Sequence, residues 1–248
     1  MVLFRTLMLI SLCLAGAAAH AQAGGDLQAQ ILYAFHAEDA NELAALVQSL
    51  STREQAGGAD ATLRYHLAHA QYRLGLLNGE ARGHNAQHAF SGCIDQLKAI
   101  LEHDANSVES LVLQAACYAQ LARLDKLEAV LLRSHAAARI GRAFALAPRN
   151  PRVLLVKGAD GLARAKPGSA EQAQALAELT LAAQIFEQTS ATTIDVPGWG
   201  HAEAYLALGR QLQARGDVLG ARNWLEKALI VAPDFKAAQR QLATLIAR

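Results

Sequence analysis

The chain has 248 residues with 23 basic and 22 acidic side chains, which gives a formal net charge of +1. This balance provides no basic surplus for binding nucleic acid or an anionic membrane. Apolar residues make up 52% of the chain but aromatic residues only 5%. The core must therefore be built mainly from alanine and leucine, which favours thin, closely packed helices.

The first 23 residues have the pattern of a secretory signal peptide. Arg5 is their only charged residue, and a short apolar run covers residues 7–19. Small residues then predict cleavage after Ala23, with Ala21 as the alternative. The run is too short for a transmembrane helix, so we expect no stable membrane insertion. We predict export to the bacterial periplasm or secretion, with 22 charges of each sign left after Arg5 is removed.

Beyond this segment, apolar residues recur at helical spacing, and breaks in the pattern divide the chain into hairpins of two helices. A first, short hairpin is predicted over residues 27–35 and 41–50, with Asp39 or Asn41 as the cap of its second helix. A second hairpin begins near Tyr65.

Two more hairpins precede residue 189. The first helix of the third covers residues 108–122. Asn150 and Pro151 open the fourth, because an asparagine cap followed by proline is typical of a helix start. Ser169 is predicted to cap its second helix. The connection at 189–200 is longer than a usual repeat turn, which fits either a functional role or an adjustment of packing.

The clearest pattern covers residues 202–235. Its key positions are an aromatic residue, a Leu-Gly pair, a Gly-Asp turn, two small residues in the second helix and a closing proline: Tyr205, Leu208, Gly209, Gly216, Asp217, Ala221, Ala228 and Pro233. Small residues at 209 and 221 allow two antiparallel helices to approach closely. This segment resembles a tetratricopeptide repeat (TPR), a helix–turn–helix unit of about 34 residues.

The resemblance implies an all-α fold: a TPR-like α-α superhelix, or right-handed solenoid, of about five helical hairpins plus a C-terminal capping helix. Such units bury their apolar faces only against neighbours, so we expect one domain over residues 24–248. The second half of the chain also resembles a group of exported bacterial TPR-like proteins, in residues 150–155, 157–158, 186–187 and 199–205. The second resemblance supports fold and export only.

In a TPR array, the first helices of successive hairpins line a concave groove. On the predicted register, the groove-facing residues are Glu203, Leu206, Arg210, Gln213, Arg152, Leu155, Glu109, Val112, Gln120, His66 and Arg73. The set is mixed in charge and has no continuous basic clamp. We expect a protein or peptide partner with apolar anchors. A solvated face without a ligand is the alternative.

Four histidines provide a second hypothesis, a periplasmic metal-binding protein. His66 and His69 are three residues apart on one predicted helix, and His84 and His88 are four apart on the next. Each pair can share a helical face, which suits zinc or copper. Ordinary histidines on helices are the preferred interpretation.

Catalysis is the third and least favoured hypothesis. We predict that the protein is not an enzyme and has no cofactor. The sequence has no Gly-x-Ser-x-Gly, no phosphate-binding glycine loop and no His-Glu-x-x-His. A catalytic site would have to be assembled across repeats.

Cys93 and Cys117 remain after signal-peptide removal. An oxidising compartment permits a disulfide between their two helices. Two buried thiols are the preferred alternative, because free cysteine is commonly buried.

Overall fold

The computed structural model describes residues 27–58, 60–79, 83–189 and 197–246, and within these ranges it contains helices and connections but no strand. The predicted signal peptide, residues 1–23, lies outside them. The helices are α1 (27–36), α2 (Ala40–Arg53), α3 (Ala61–Asn78), α4 (Gly83–His103), α5 (Val108–Leu124), α6 (Ala129–Leu146), α7 (Pro151–Arg164), α8 (Ala170–Thr189), α9 (His201–Ala214), α10 (Val218–Val231) and α11 (Lys236–Ile246). A short π-helical turn, Glu54–Gly58, follows α2. None of the described helices is long and apolar enough to cross a bilayer.

Consecutive helices pack as five hairpins, and α11 follows alone. The prediction of about five hairpins plus a C-terminal helix is therefore confirmed. One core cluster joins α1, α2 and α3, and a larger one continues from α3 to α11. This continuity is what a repeat array requires, because each hairpin buries its apolar faces against the next.

The last hairpin shows how the sequence specifies close packing. A Cβ added to Gly209 would lie 2.7 Å from Cγ of Leu225 and 3.3 Å from the carbonyl oxygen of Ala221. Only glycine fits this approach of α9 to α10. Gly216 has a φ of 81°, a left-handed conformation that favours glycine. Asp217 then caps α10 by accepting a hydrogen bond from the Gly220 N–H at 2.9 Å.

The predicted helix caps of the earlier hairpins are also present. The side chain of Asp39 accepts from the N–H of Glu42 at 2.9 Å. Asn150 accepts from Arg152 N–H at 2.9 Å, and Pro151 follows as the first residue of α7. Ser169 Oγ accepts from the N–H of a residue in the first turn of α8 at 3.2 Å. Each side-chain oxygen satisfies a backbone donor that has no partner within its own helix.

A disulfide joins Cys93 of α4 to Cys117 of α5. Both cysteines are fully buried, and their Cα atoms are 6.5 Å apart. The structure thus has the disulfide in place of the two free thiols that the sequence favoured. The bond crosses the junction between the second and third hairpins, where α4 packs on α5.

The solenoid is curled so that its first hairpin meets its last elements. Glu38, in the turn that follows α1, forms an ion pair with Arg240 of α11 at 2.5 Å. The rings of Phe35 and Phe235 pack with their centroids 6.2 Å apart. These contacts join residues about two hundred positions apart in sequence and close the concave side into a cavity.

Candidate binding cavity

The cavity has a volume of about 740 Å³ and lies on the concave side of the solenoid. The odd-numbered helices α1, α3, α5, α7, α9 and α11 all contribute to its wall, and they are the first helices of the hairpins plus the capping helix. Its apolar lining includes Phe35, Leu76, Leu155, Trp199, Leu206 and Phe235. The first helices of the hairpins therefore line one common, partly open groove.

The structure brings six of the predicted groove residues together on this wall. They are Arg73, Gln120, Leu155, Glu203, Leu206 and Arg210. Glu109, Val112, Arg152, Gln213 and His66 were also predicted to face the groove, but they are not among the residues that line the cavity. The first four have structural contacts instead, and His66 is buried in α3.

Arg152 and Glu109 form a clamp between hairpins. The guanidinium of Arg152 donates to both carboxylate oxygens of Glu109, at 2.6 and 2.9 Å, and to the carbonyl oxygen of Pro197 at 2.7 Å. Asn150 donates to the same carboxylate at 2.7 Å. Arg152 is only 4% exposed. This network ties α5, α7 and the segment before α9 together, so its charges are already paired.

Val112 and Gln213 have other neighbours. Val112 is fully buried in the main core. The amide of Gln213 donates to Thr244 Oγ1 at 3.2 Å and accepts from Gln241, so it attaches α9 to the capping helix. A register deduced from one hairpin could not reveal either contact, because each depends on how neighbouring hairpins rotate.

An ion pair on the cavity wall connects α3 to α9. Arg73 Nη2 lies 2.5 Å from Glu203 Oε1, and Arg73 is 2% exposed. Its guanidinium carbon lies 4.3 Å from the ring centroid of Phe35, a cation–π distance. Burial alone would raise the pKa of Glu203, but Arg73 and then His36 lower that pKa well below its usual value. Glu203 is therefore a carboxylate that neutralises a buried cation.

Glu203 also helps to start α9. Its Oε2 accepts from the N–H of Gly200 at 3.0 Å. Gly200 has a φ of 107°, which is the left-handed region that favours glycine. The residue before it, Trp199, is 3% exposed and donates its indole N–H to the hydroxyl of Tyr65 at 2.9 Å. Trp199 and Gly200 are thus buried, and Trp199 forms part of the cavity wall.

Sequence reasoning missed several charged residues of the cavity. Arg123 lies one helical turn after Gln120, so extending the groove face of α5 would have found it. Arg133 belongs to α6, a second helix of a hairpin, and breaks the rule that only first helices contribute. Glu38 and Arg240 also line the cavity. Their pairing has no local signal, because it depends on closure of the whole array.

The four candidate metal ligands are divided between the interior and the surface. His66 and His69 are buried in α3, whereas His84 and His88 are exposed on α4. Nε2 of His69 accepts a hydrogen bond from Arg73 Nε at 3.0 Å. Burial, and then the charge of Arg73, hold the pKa of His69 well below its usual value. Within the described residues, no three His, Cys, Asp or Glu side chains are grouped to hold a metal ion, so the structure does not assemble the four imidazoles.

Comparison with known proteins decides the fold. A thermophilic TPR protein of Thermus thermophilus superposes with a TM-score of 0.63, covering 92% of this chain and all of its own chain at 18% identity. The fold is that of a TPR-like α-solenoid. No family model and no curated protein matches the sequence.

Proposed function

We propose that this TPR-like chain is an exported, non-catalytic interaction module that holds a peptide or protein segment in its concave cavity. The observation that carries the proposal is the cavity of about 740 Å³, to which all six odd-numbered helices contribute. The apolar residues of the wall provide anchor sites, and the charged residues provide orientation.

Filling the cavity tests this proposal. Ala159 of α7 is exposed and lines the cavity, so Ala159→Trp would occupy space that a bound segment needs. We expect recovery of bound proteins from an envelope extract to fall about tenfold, which corresponds to about 1.4 kcal/mol of binding free energy. Recovery is measured by quantitative mass spectrometry on the immobilised protein.

The matched control is Ala177→Trp. Ala177 is an exposed alanine on α8 of the same hairpin and does not line the cavity. Ala177→Trp adds the same side chain to α8 in place of α7, and we expect it to cause no loss of captured proteins. Equal capture by Ala159→Trp, Ala177→Trp and the unmodified chain would show that the cavity is not the binding surface.

Export is part of the proposal. The signal-peptide pattern of residues 1–23 supports it, and so does the Cys93–Cys117 disulfide, since structural disulfides persist mainly in oxidising compartments. We expect the protein to be recovered from the periplasm or the medium, with an N-terminus at Gly24 or, after the alternative cleavage, at Gln22. N-terminal sequencing of the fractionated protein measures this. Recovery only from the cytosol with residues 1–23 intact would contradict export.

A further inference from the structure

The charges on the cavity wall are not balanced. Six arginines and three carboxylates line the cavity: Arg73, Arg123, Arg133, Arg164, Arg210 and Arg240 against Glu38, Asp160 and Glu203. The complete chain has a net charge of only +1. The cavity therefore concentrates a positive surplus that the overall composition conceals.

Three of the arginines are neutralised by the three carboxylates. Arg73 pairs with Glu203 across the wall, Arg240 with Glu38 at the closure, and Arg164 with Asp160 along α7 at 2.6 Å. The members of each pair satisfy one another, so none of them is a free recognition group.

The other three arginines are available for a ligand. Arg123, Arg133 and Arg210 have no ion pair, and their side chains have no hydrogen bond to any residue in the described part of the chain. All three are exposed to solvent at the cavity. Although Arg210 is exposed overall, the cavity wall partly desolvates its guanidinium, and this desolvation, and then the positive charge of Arg240, lower the pKa of Arg210. A bound anionic group would offset both effects.

This inference rests on the proposed function. We propose that the occupant of the cavity is an acidic peptide segment. Its carboxylates bind Arg123, Arg133 and Arg210, and one of its apolar side chains contacts the wall. Arginine binds carboxylates with two parallel N–H donors, so three free guanidinium groups match several Asp or Glu side chains. Leu155 and Leu206 are apolar side chains that line the same cavity as Arg210. A polyphosphate chain fits less well, because it has no apolar group to contact the apolar side chains of this wall.

Selection from random peptides tests the chemistry without a known partner. Phage-displayed random 12-residue peptides are selected on the immobilised protein and sequenced. We expect Asp and Glu to be enriched about twofold or more over the unselected library, together with Leu, Ile, Val or Phe. Enrichment of apolar residues without acidic ones, or of Lys and Arg, would overturn the acidic assignment but leave a peptide-binding cavity.

The triple variant Arg123→Gln/Arg133→Gln/Arg210→Gln assigns the effect to the three side chains. We expect the dissociation constant of a selected acidic peptide, measured by fluorescence anisotropy, to rise about tenfold or more. Its control is Arg53→Gln/Arg149→Gln/Arg215→Gln, which removes three exposed arginines that do not line the cavity. The control variant has the same net charge as the cavity variant. An equal rise in the dissociation constant of both variants would therefore show a nonspecific charge effect and overturn the proposal.

Two further outcomes separate this inference from the proposed function. If Ala159→Trp binds the selected acidic peptides as tightly as the unmodified chain does, the cavity is not their site and both proposals fail. If no peptide is enriched, and a random single-stranded DNA oligonucleotide binds in a manner that depends on the three arginines, the ligand is not a peptide.

Discussion

Replacing Glu203 with leucine is expected to lower the free energy of unfolding by about 3–5 kcal/mol, which is typical when one partner of a buried ion pair is removed. The reason is the surroundings of Arg73, which is 2% exposed and has its guanidinium directed at Glu203. Without the carboxylate, this cation keeps its desolvation cost and loses its counter-charge. Urea unfolding followed by circular dichroism at pH 7 measures the change.

The two partners of this pair are not equivalent. The Glu203 side chain is 17% exposed and also accepts a hydrogen bond from Gly200. Arg73→Met should therefore cost less than Glu203→Leu. The double variant Arg73→Met/Glu203→Leu should regain most of the stability, since an apolar pair can replace a buried ion pair with little loss. A double variant as unstable as the sum of the two single variants would contradict this account.

Glu226→Leu is the control for burial. Glu226 forms an ion pair with Arg222 at 2.7 Å, but both side chains are about half exposed. Its loss should cost less than about 1 kcal/mol, because solvent screens exposed pairs. A loss as large as that of Glu203→Leu would show that burial does not determine the effect.

The effect of Glu203 on stability also has a defined pH dependence. Its pKa in the folded protein lies below the usual value of 4.5. Its contribution is therefore complete above pH 4.5 and is lost as the pH falls below that value toward the pKa of the folded state. The difference in unfolding free energy between the unmodified chain and Glu203→Leu should narrow as the pH is lowered from 4.5. A difference that stays constant across this range would contradict the assignment.

The hairpins could be predicted from sequence because their signals are local. Close packing at Gly209 needs only small residues at fixed offsets, and Asp217 caps a helix that begins at the next residue. The same holds for Asn150 and Ser169. Every one of these features acts within a single hairpin, so one repeat pattern was sufficient to place them.

The cavity was predictable only in part, because its wall depends on how the hairpins are arranged around it. Arg210 and Leu206 face the cavity as the register of α9 requires. Arg152 was predicted to face the groove from α7 but is paired with Glu109 and the carbonyl oxygen of Pro197. No pattern within α7 indicates this, since the partners come from two other segments of the chain.

Loss of the disulfide is expected to destabilise the protein by about 3 kcal/mol. Cys93 and Cys117 are 24 positions apart, and opening a loop of this length returns conformational entropy to the unfolded chain. The variant Cys93→Ala/Cys117→Ala and the unmodified chain in dithiothreitol should both show the loss in urea unfolding. The intact mass of the untreated chain should be about 2 Da lower than that of the reduced chain, because forming a disulfide removes two hydrogen atoms.

Dithiothreitol acting on the double variant separates the covalent bond from the packing of the two cysteines. The reagent should leave the stability of Cys93→Ala/Cys117→Ala unchanged, because no bond remains to be reduced. If full reduction leaves the stability of the unmodified chain unchanged, the disulfide is not stabilising.

The expected loss makes the stability of the protein depend on its compartment. Helices α4 and α5 meet at the junction of two hairpins, so a reducing compartment would leave this junction without its covalent link. The protein should therefore reach its full stability only in an oxidising compartment.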